Sequence, residues 1–263
     1  MELLDALRLQ LEWGADEALD ASPLDRLSAT RVVTDAAPGT DPVPLRPPAV
    51  ATARLAPTTP MARAHMVAAA AASVADLRTA LAGFDACPLS ATATQLVFAD
   101  GNPAARLMVV GEGPGTEEDR DGRPFVGPSG QLLDRMLASI GLDRTQVLLT
   151  NLIPWRPPGN RNPTESEVAT CLPFLLRHIA LVRPARLVLL GALATRAILG
   201  GTAGIRRVRG KWDSAAIPGL ADPVPALPML HPAYLLRSPT AKAEAWADLR
   251  LLRRTLDADL PKK

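Results

Sequence analysis

Three short stretches of the chain carry side chains able to do chemistry. The first is "GEGPGTEEDRDGRPFVG", residues 111–127. Glycines at 111, 113 and 115 let a backbone approach a ligand closely, Pro114 stiffens the turn, and Glu112 adds a carboxylate. The second, "NLIPWRPPGNRNP" (151–163), is an amide side chain followed by a stiff basic loop, suited to hold a backbone still beside something negative. The third is "HPAYLLR" (231–237), an imidazole followed at once by Pro. Carboxylate, amide and imidazole are groups for hydrogen bonding and proton transfer. Each also has an ordinary reading. The glycines suggest a dinucleotide loop, an Asn at a strand end is commonly a turn residue or cap, and a lone His is often structural. The dinucleotide reading is weak, because the final Gly of G-x-G-x-x-G is missing and Glu117, Glu118 and Asp119 would repel a pyrophosphate.

The elements around these stretches bring them together. "ARLMVVGEG" (105–113), "QVLLTNL" (146–152), "ARLVLLG" (185–191) and "ALPMLHP" (226–232) are short apolar runs ending in Gly, Asn or His, read as buried strands. Helical spacing fills the intervals: 129–142 with Ser129 as N-cap, 164–181 opening on the capping box "TESE", 192–199, and a closing helix over 239–256. Strands alternating with helices predict an α/β fold, a three-layer α/β/α sandwich around a four-stranded, mostly parallel sheet. In such sheets ligands sit outside the carboxyl ends of the strands. That places the chemistry at 111–127, 151–161, 191–192 and 231–237.

Upstream the texture differs. Residues 1–20 have the spacing of a short amphipathic helix, and 21–60 are rich in Pro, Ala and Thr, a composition read as a linker. The Ala-rich run 61–84 is expected to be one helix. The expected division is an N-terminal extension over 1–80, partly helical with a linker, and the α/β domain over 81–263. The formal charge of +2 hides an asymmetry: residues 1–75 hold six Arg and no Lys against nine Asp/Glu, leaving 23 Lys/Arg against 18 Asp/Glu beyond. A mildly basic C-terminal globule is compatible with a nucleic-acid partner. Two Cys form no disulfide framework, and no signal start or long apolar run is present, so a cytoplasmic protein without a membrane partner is expected.

The three motifs, in this order, closely resemble uracil-DNA glycosylases of family four, the thermophile type. The resemblance runs from about Cys87 to Leu256. It implies a monofunctional enzyme that cleaves the glycosidic bond of uracil flipped out of DNA, the first step of base excision repair. Phe125 would stack on the base, with Gly113 beside it. Asn151 would read the polar edge, giving its NH2 to O4 and accepting from N3–H. His231 would donate to O2, and Glu112 would position water or stabilise the oxocarbenium-like sugar. Glu118 would lie near C5 and crowd a thymine methyl. Leu235, Leu236 and Arg237 resemble the minor-groove wedge that fills the vacated stack. Arg156, Arg161 and the run Arg206, Arg207, Arg209 and Lys211 suit phosphate contacts, although a solvated basic face explains the run equally well.

Members of that family usually bind a [4Fe–4S] cluster through four Cys. Here Cys87 and Cys171 fit two of those positions, while Phe84 and Trp155 stand at the other two. Two thiolates do not complete a four-iron cube, so no cofactor is expected and the two Cys are leftover positions. Large apolar residues would instead fill the volume. Other readings remain. One is a catalytically weak or inactive damaged-DNA binding protein on the same fold. Another is a relative that traps uracil sites covalently, but no His stands between Asn151 and His178 to act as nucleophile. A small-molecule nucleotide hydrolase is the weakest. A monomer is expected.

Overall fold

The structure is a computed structural model that describes residues 59–258. The helix expected over 1–20 and nearly all of the linker expected over 21–60 lie outside the described residues. In chain order the elements are α1 (Pro60–Ala70), α2 (Val74–Ala82), α3 (Pro88–Thr92), β1 (Ala99–Gly101), β2 (Leu107–Gly111), α4 (Thr116–Asp121), α5 (Pro128–Ala138) and β3 (Val147–Asn151). Then come α6 (Glu165–Val182), β4 (Arg186–Leu190), α7 (Ala192–Leu199), α8 (Ile205–Val208), β5 (Asp213–Ala215), β6 (Val224–Met229), α9 (Pro232–Arg237) and α10 (Lys242–Ala258).

The four apolar runs form the middle of one sheet because both of their faces are covered. Met108, Val110, Leu148, Leu187 and Leu189 point to one side, into a core shared with α1, α2, α6 and α7. Their neighbours Leu107, Val109, Leu149, Val188, Leu190 and Leu227 point to the other, against α5 and α10. Burying one such side chain is worth about 1.5–3 kcal/mol, and a one-residue slip would send each side chain to the wrong layer. Register is therefore tightly set, with Gly111 opposite Asn151 where β2 and β3 end together.

The sheet has six strands in the order β1-β3-β2-β4-β6-β5. The expected four are the parallel centre, and two antiparallel edges are added. These edges, "ADG" and "DSA", are three residues long and carry no apolar run. An edge strand needs only one partner, so periodicity does not reveal it.

Three other expectations are corrected. The run 61–84 is two helices, because Ala71 turns extended and Ser73 starts α2 with a capping box to Asp76. Helix α5 starts at Pro128 behind Gly127, so Ser129 is inside the first turn and is not the cap. The domain boundary does not fall at 80. Ala64, Ala68, Leu77 and Leu81 belong to the main core, and Arg177 of α6 donates to Ala71 O at 2.6 and 3.0 Å. The capping box of Thr164 and Glu167 on α6 is as expected. Among the described residues no helix is long and apolar enough to cross a membrane.

Candidate active site

A cavity of about 650 Å³ opens where β2, β3, β4 and β6 end, lined by Glu112, Phe125, Asn151, Gly191, His231 and Arg237 among others. All four strand ends picked from the sequence contribute. The physical reason is that parallel strands end together, and the loops leaving them diverge to either face of the sheet.

Asn151 is the last residue of β3 and is buried. Its amide makes no hydrogen bond among the described residues, which leaves a donor and an acceptor for a ligand. Gly111 makes that position possible. A Cβ there would stand 2.4 Å from Asn151 Oδ1 and 2.5 Å from Phe125 Cζ. The glycine therefore admits two side chains of the protein, a closer reason than the backbone approach expected for it. Gly113 is exposed on the cavity wall, and an added Cβ would meet only Ile153, at 3.5 Å.

The Phe125 ring lies 6.2 Å from the His231 ring, with the planes inclined by 27°. His231 caps α9, and its Nδ1 accepts from the Ala233 N–H at 3.1 Å. A neutral imidazole that accepts at Nδ1 carries its proton on Nε2, so that nitrogen is a donor. Burial pushes the His231 pKa down and Arg237 adds to the shift, while Glu112 opposes it. The neutral ring is thus the form held at pH 7.

Glu112 follows β2, and its Oε1 accepts from the Leu193 N–H at the start of α7, at 3.0 Å. Gly191, at φ 95°, leaves that carboxylate its space, since a Cβ there would lie 2.3 Å from Oε1. The helix N-terminus supplies both a free N–H and a favourable dipole for the anion.

Comparison with known proteins identifies the family. The family model of the uracil DNA glycosylase superfamily matches residues 98–250. The chain belongs to that superfamily. A type-4 uracil-DNA glycosylase of Pyrobaculum aerophilum is 38% identical over 171 residues, which are 64% of this chain and 86% of the relative. One from Thermotoga maritima is 43% identical over 157 residues, 58% of this chain and 78% of the relative. One from Archaeoglobus fulgidus is 40% identical over 168 residues, 62% and 83%.

Against the expectations for this superfamily, some residues sit elsewhere. Glu118 lines the cavity, but its carboxylate accepts from three backbone amides: Gly115 at 3.0 Å, Val126 at 3.0 Å and Gly127 at 2.8 Å. It shapes the loop from below. Asp119, read with it as a repelling acid, is also buried and accepts from Thr94 and Gln95. Leu235 is not part of a wedge. It is 1% exposed and packs in the core, because neighbouring residues on a helix point about 100° apart, whereas Leu236 is 42% exposed.

The basic residues divide in the same way. Arg237 is exposed on the cavity rim. Arg161 lines it too, but makes a two-pronged pair with Glu167 at 2.6 and 2.8 Å, which pulls the Glu167 carboxyl down to about 2. Arg156 lies off the cavity and donates to Asn160 Oδ1. Arg209 is withdrawn into an ion pair with Asp248, and Arg206 pairs with Glu244 while lining the cavity. Arg207 and Lys211 are exposed.

The four positions where the superfamily's type-4 relatives were expected to hold a cluster lie together. Phe84, Cys87, Trp155 and Cys171 are all buried in one core, with the two Sγ atoms 3.9 Å apart and the Phe84 ring edge-on to Phe174 at 5.0 Å. Two thiols and two aromatic rings do not provide the ligands of a four-iron cluster. Among the described residues there is no group of three or more His, Cys, Asp and Glu placed to hold a metal ion.

The sequence left some contributors without a role at the site. Tyr234 lines the cavity, as does Ser129, read only as a helix cap, and Arg144 stands behind it. A lone Arg in a turn carries no sequence signal; only its partners give it meaning.

Proposed function

We propose that the chain is a uracil-DNA glycosylase, hydrolysing the N-glycosidic bond of uracil flipped out of DNA and so opening base excision repair. The observation that carries this is the Asn151 amide: buried, unpaired within the described residues, and in one cavity with Glu112, Phe125 and His231. The NH2 of Asn151 donates to uracil O4, and its Oδ1 accepts from N3–H. Cytosine presents the reverse pattern at both atoms, and each mismatched buried group costs about 1–3 kcal/mol. Phe125 stacks on the extruded ring.

As the bond to C1′ breaks, its electron pair passes to the base and charge grows on O2. The His231 Nε2–H donates there, from a ring that is already neutral and oriented by Ala233. Glu112, fixed by the Leu193 N–H, orients the water that adds to C1′ or stabilises the cationic sugar. Water supplies the hydroxyl, and uracil leaves. No covalent step through the protein is required, which makes the activity monofunctional.

The exposed Leu236 is the wedge into the vacated stack, and Arg237 the neighbouring phosphate contact. The enzyme works as a cytoplasmic monomer, without a cluster, with Phe84 and Trp155 filling its place. The test is an oligonucleotide with one uracil, treated with the protein and then with alkali. Strand cleavage at the uracil is expected. Tight binding with no alkali-labile site would instead identify a damaged-DNA binding protein.

A further inference from the structure

Phe125 has a backbone that an aromatic residue rarely adopts. Its φ is 57°, in the left-handed region, shared among non-glycine described residues only with Asn160 and Arg183. A bulky side chain stays there only when its surroundings overdetermine it. The surroundings are specific. Past the ring, Glu118 Oε1 takes the amides of Val126 and Gly127. Before it, the Arg144 guanidinium donates to the carbonyl oxygens of Phe125 and Pro124, the latter at 3.4 Å.

Arg144 is itself locked. Its Nη1 meets Asp100 of β1 at 2.5 Å, and its Nε and Nη2 meet Asp134 of α5 at 2.9 and 3.2 Å. One planar fork thus ties the Phe125 carbonyl to an edge strand and a helix, directions a flexible ammonium could not hold together. The space is equally constrained. At Gly130 a Cβ would fall 1.8 Å from Phe125 O. Arg144 does not line the cavity.

We propose that Arg144 is a positioning residue for uracil recognition: by gripping the Phe125 carbonyl it sets the angle of the stacking ring from behind the pocket wall. The inference rests on the reading of Phe125 as the stacking side chain. Stacking holds the flipped base in ground and transition states alike, so loss of the angle should appear in KM rather than kcat.

The experiment is a double-mutant cycle on the full chain, assayed by uracil excision from an oligonucleotide. Arg144→Met should raise KM roughly 10-fold with kcat within about threefold, and Arg144→Lys should fall between it and the wild type. Added to Phe125→Ala, Arg144→Met should change KM by less than about twofold, because the ring it positions is gone. Gly130→Ala displaces the same carbonyl without touching a charge, and should show the same KM rise and the same loss of effect in the Phe125→Ala background. It carries the test should Arg144→Met fail to fold.

A KM penalty of Arg144→Met or Gly130→Ala that persists undiminished in the Phe125→Ala background overturns the positioning role. So does a loss confined to kcat. A Phe125→Ala enzyme with unchanged KM overturns both the inference and the stacking reading beneath it, and that single variant tells the two failures apart.

Discussion

The loop that leaves β2 and the loop that leaves β3 start on neighbouring strands and line the same cavity. Residues 112–127 are held by charge: Glu118 on three amides, Asp119 on Thr94 and Gln95, Arg144 on two carbonyls. Residues 152–163 are held chiefly by volume, with Arg161 paired to Glu167 near the far end. Leu152, Ile153 and Trp155 are 1%, 0% and 4% exposed, and prolines at 154, 157, 158 and 163 stiffen the rest. Hydrogen bonds fix direction, which the stacking proposed for Phe125 requires. Packing fixes position, and any group of the right size can provide it. That difference explains why an aromatic residue suits position 155, where the resemblance led one to expect a metal ligand, while the polar residues of the first loop have no apolar substitute.

The sharpest break of this contrast is Trp155→Ala. Unfolding free energy should fall by about 3–5 kcal/mol, read from the urea midpoint, with base preference intact in the protein that remains folded. A loss under about 1 kcal/mol would mean that packing does not hold the second loop. His231→Ala should do the reverse. Excision should lose about 2.7–4 kcal/mol of barrier lowering, while stability drops only by about 1 kcal/mol for the missing cap. Single-turnover rates and melting curves on one preparation measure both.

Asn151→Asp sharpens the contrast further, since it changes neither volume nor the loop. Uracil excision should weaken by about 1–3 kcal/mol and cytosine excision should appear, because an ionised carboxylate only accepts and can take a hydrogen bond from cytosine N4–H2. Paired uracil and cytosine oligonucleotides read the ratio. An unchanged ratio would remove Asn151 from the reading edge.

The smallest effects are in pH. Burial holds His231 below the ordinary imidazole value of 6.5, so its neutral ring persists as pH falls through that value. Excision should stay level there and fall only in more acid solution, where a protonated Nδ1 no longer accepts from Ala233. A rate profile breaking at or above pH 6.5 would contradict this. Glu167 has its pKa lowered from 4.5 to about 2, chiefly by its hydrogen bond to Arg161. Its stabilisation is fully present above 4.5 and is lost as pH falls through about 2. Glu167→Gln should flatten that acid slope and lower stability at pH 7 by a matching amount, a modest one because the Arg161 side chain is 44% exposed.

Residue order reveals whatever repeats with the period of an element or ends one. Continuous apolar runs name the four central strands, because both of their faces are buried. Three residues at strand ends locate the cavity, because parallel strands end on one side of a sheet. The break at Ala71 and the helix α9 after His231 are not legible in this way, since an Ala-rich run and a His-Pro step are compatible with more than one backbone. Edge strands of three residues escape notice for want of any period.

The amino-acid sequence by itself determined the fold class and the family, and it picked out Glu112, Asn151 and His231 as candidates at the strand ends, with aromatic residues at 84 and 155. All of these are local facts of residue type and order. Only the tertiary structure decided which neighbour does what. It turned Glu118 towards amides, sent Leu235 inward and Leu236 outward, cancelled Arg161 against Glu167, and brought Arg144 beneath Phe125. Each of these depends on a partner distant along the chain or on the side of a helix that meets the core. Residue order encodes such contacts only through the folded shape.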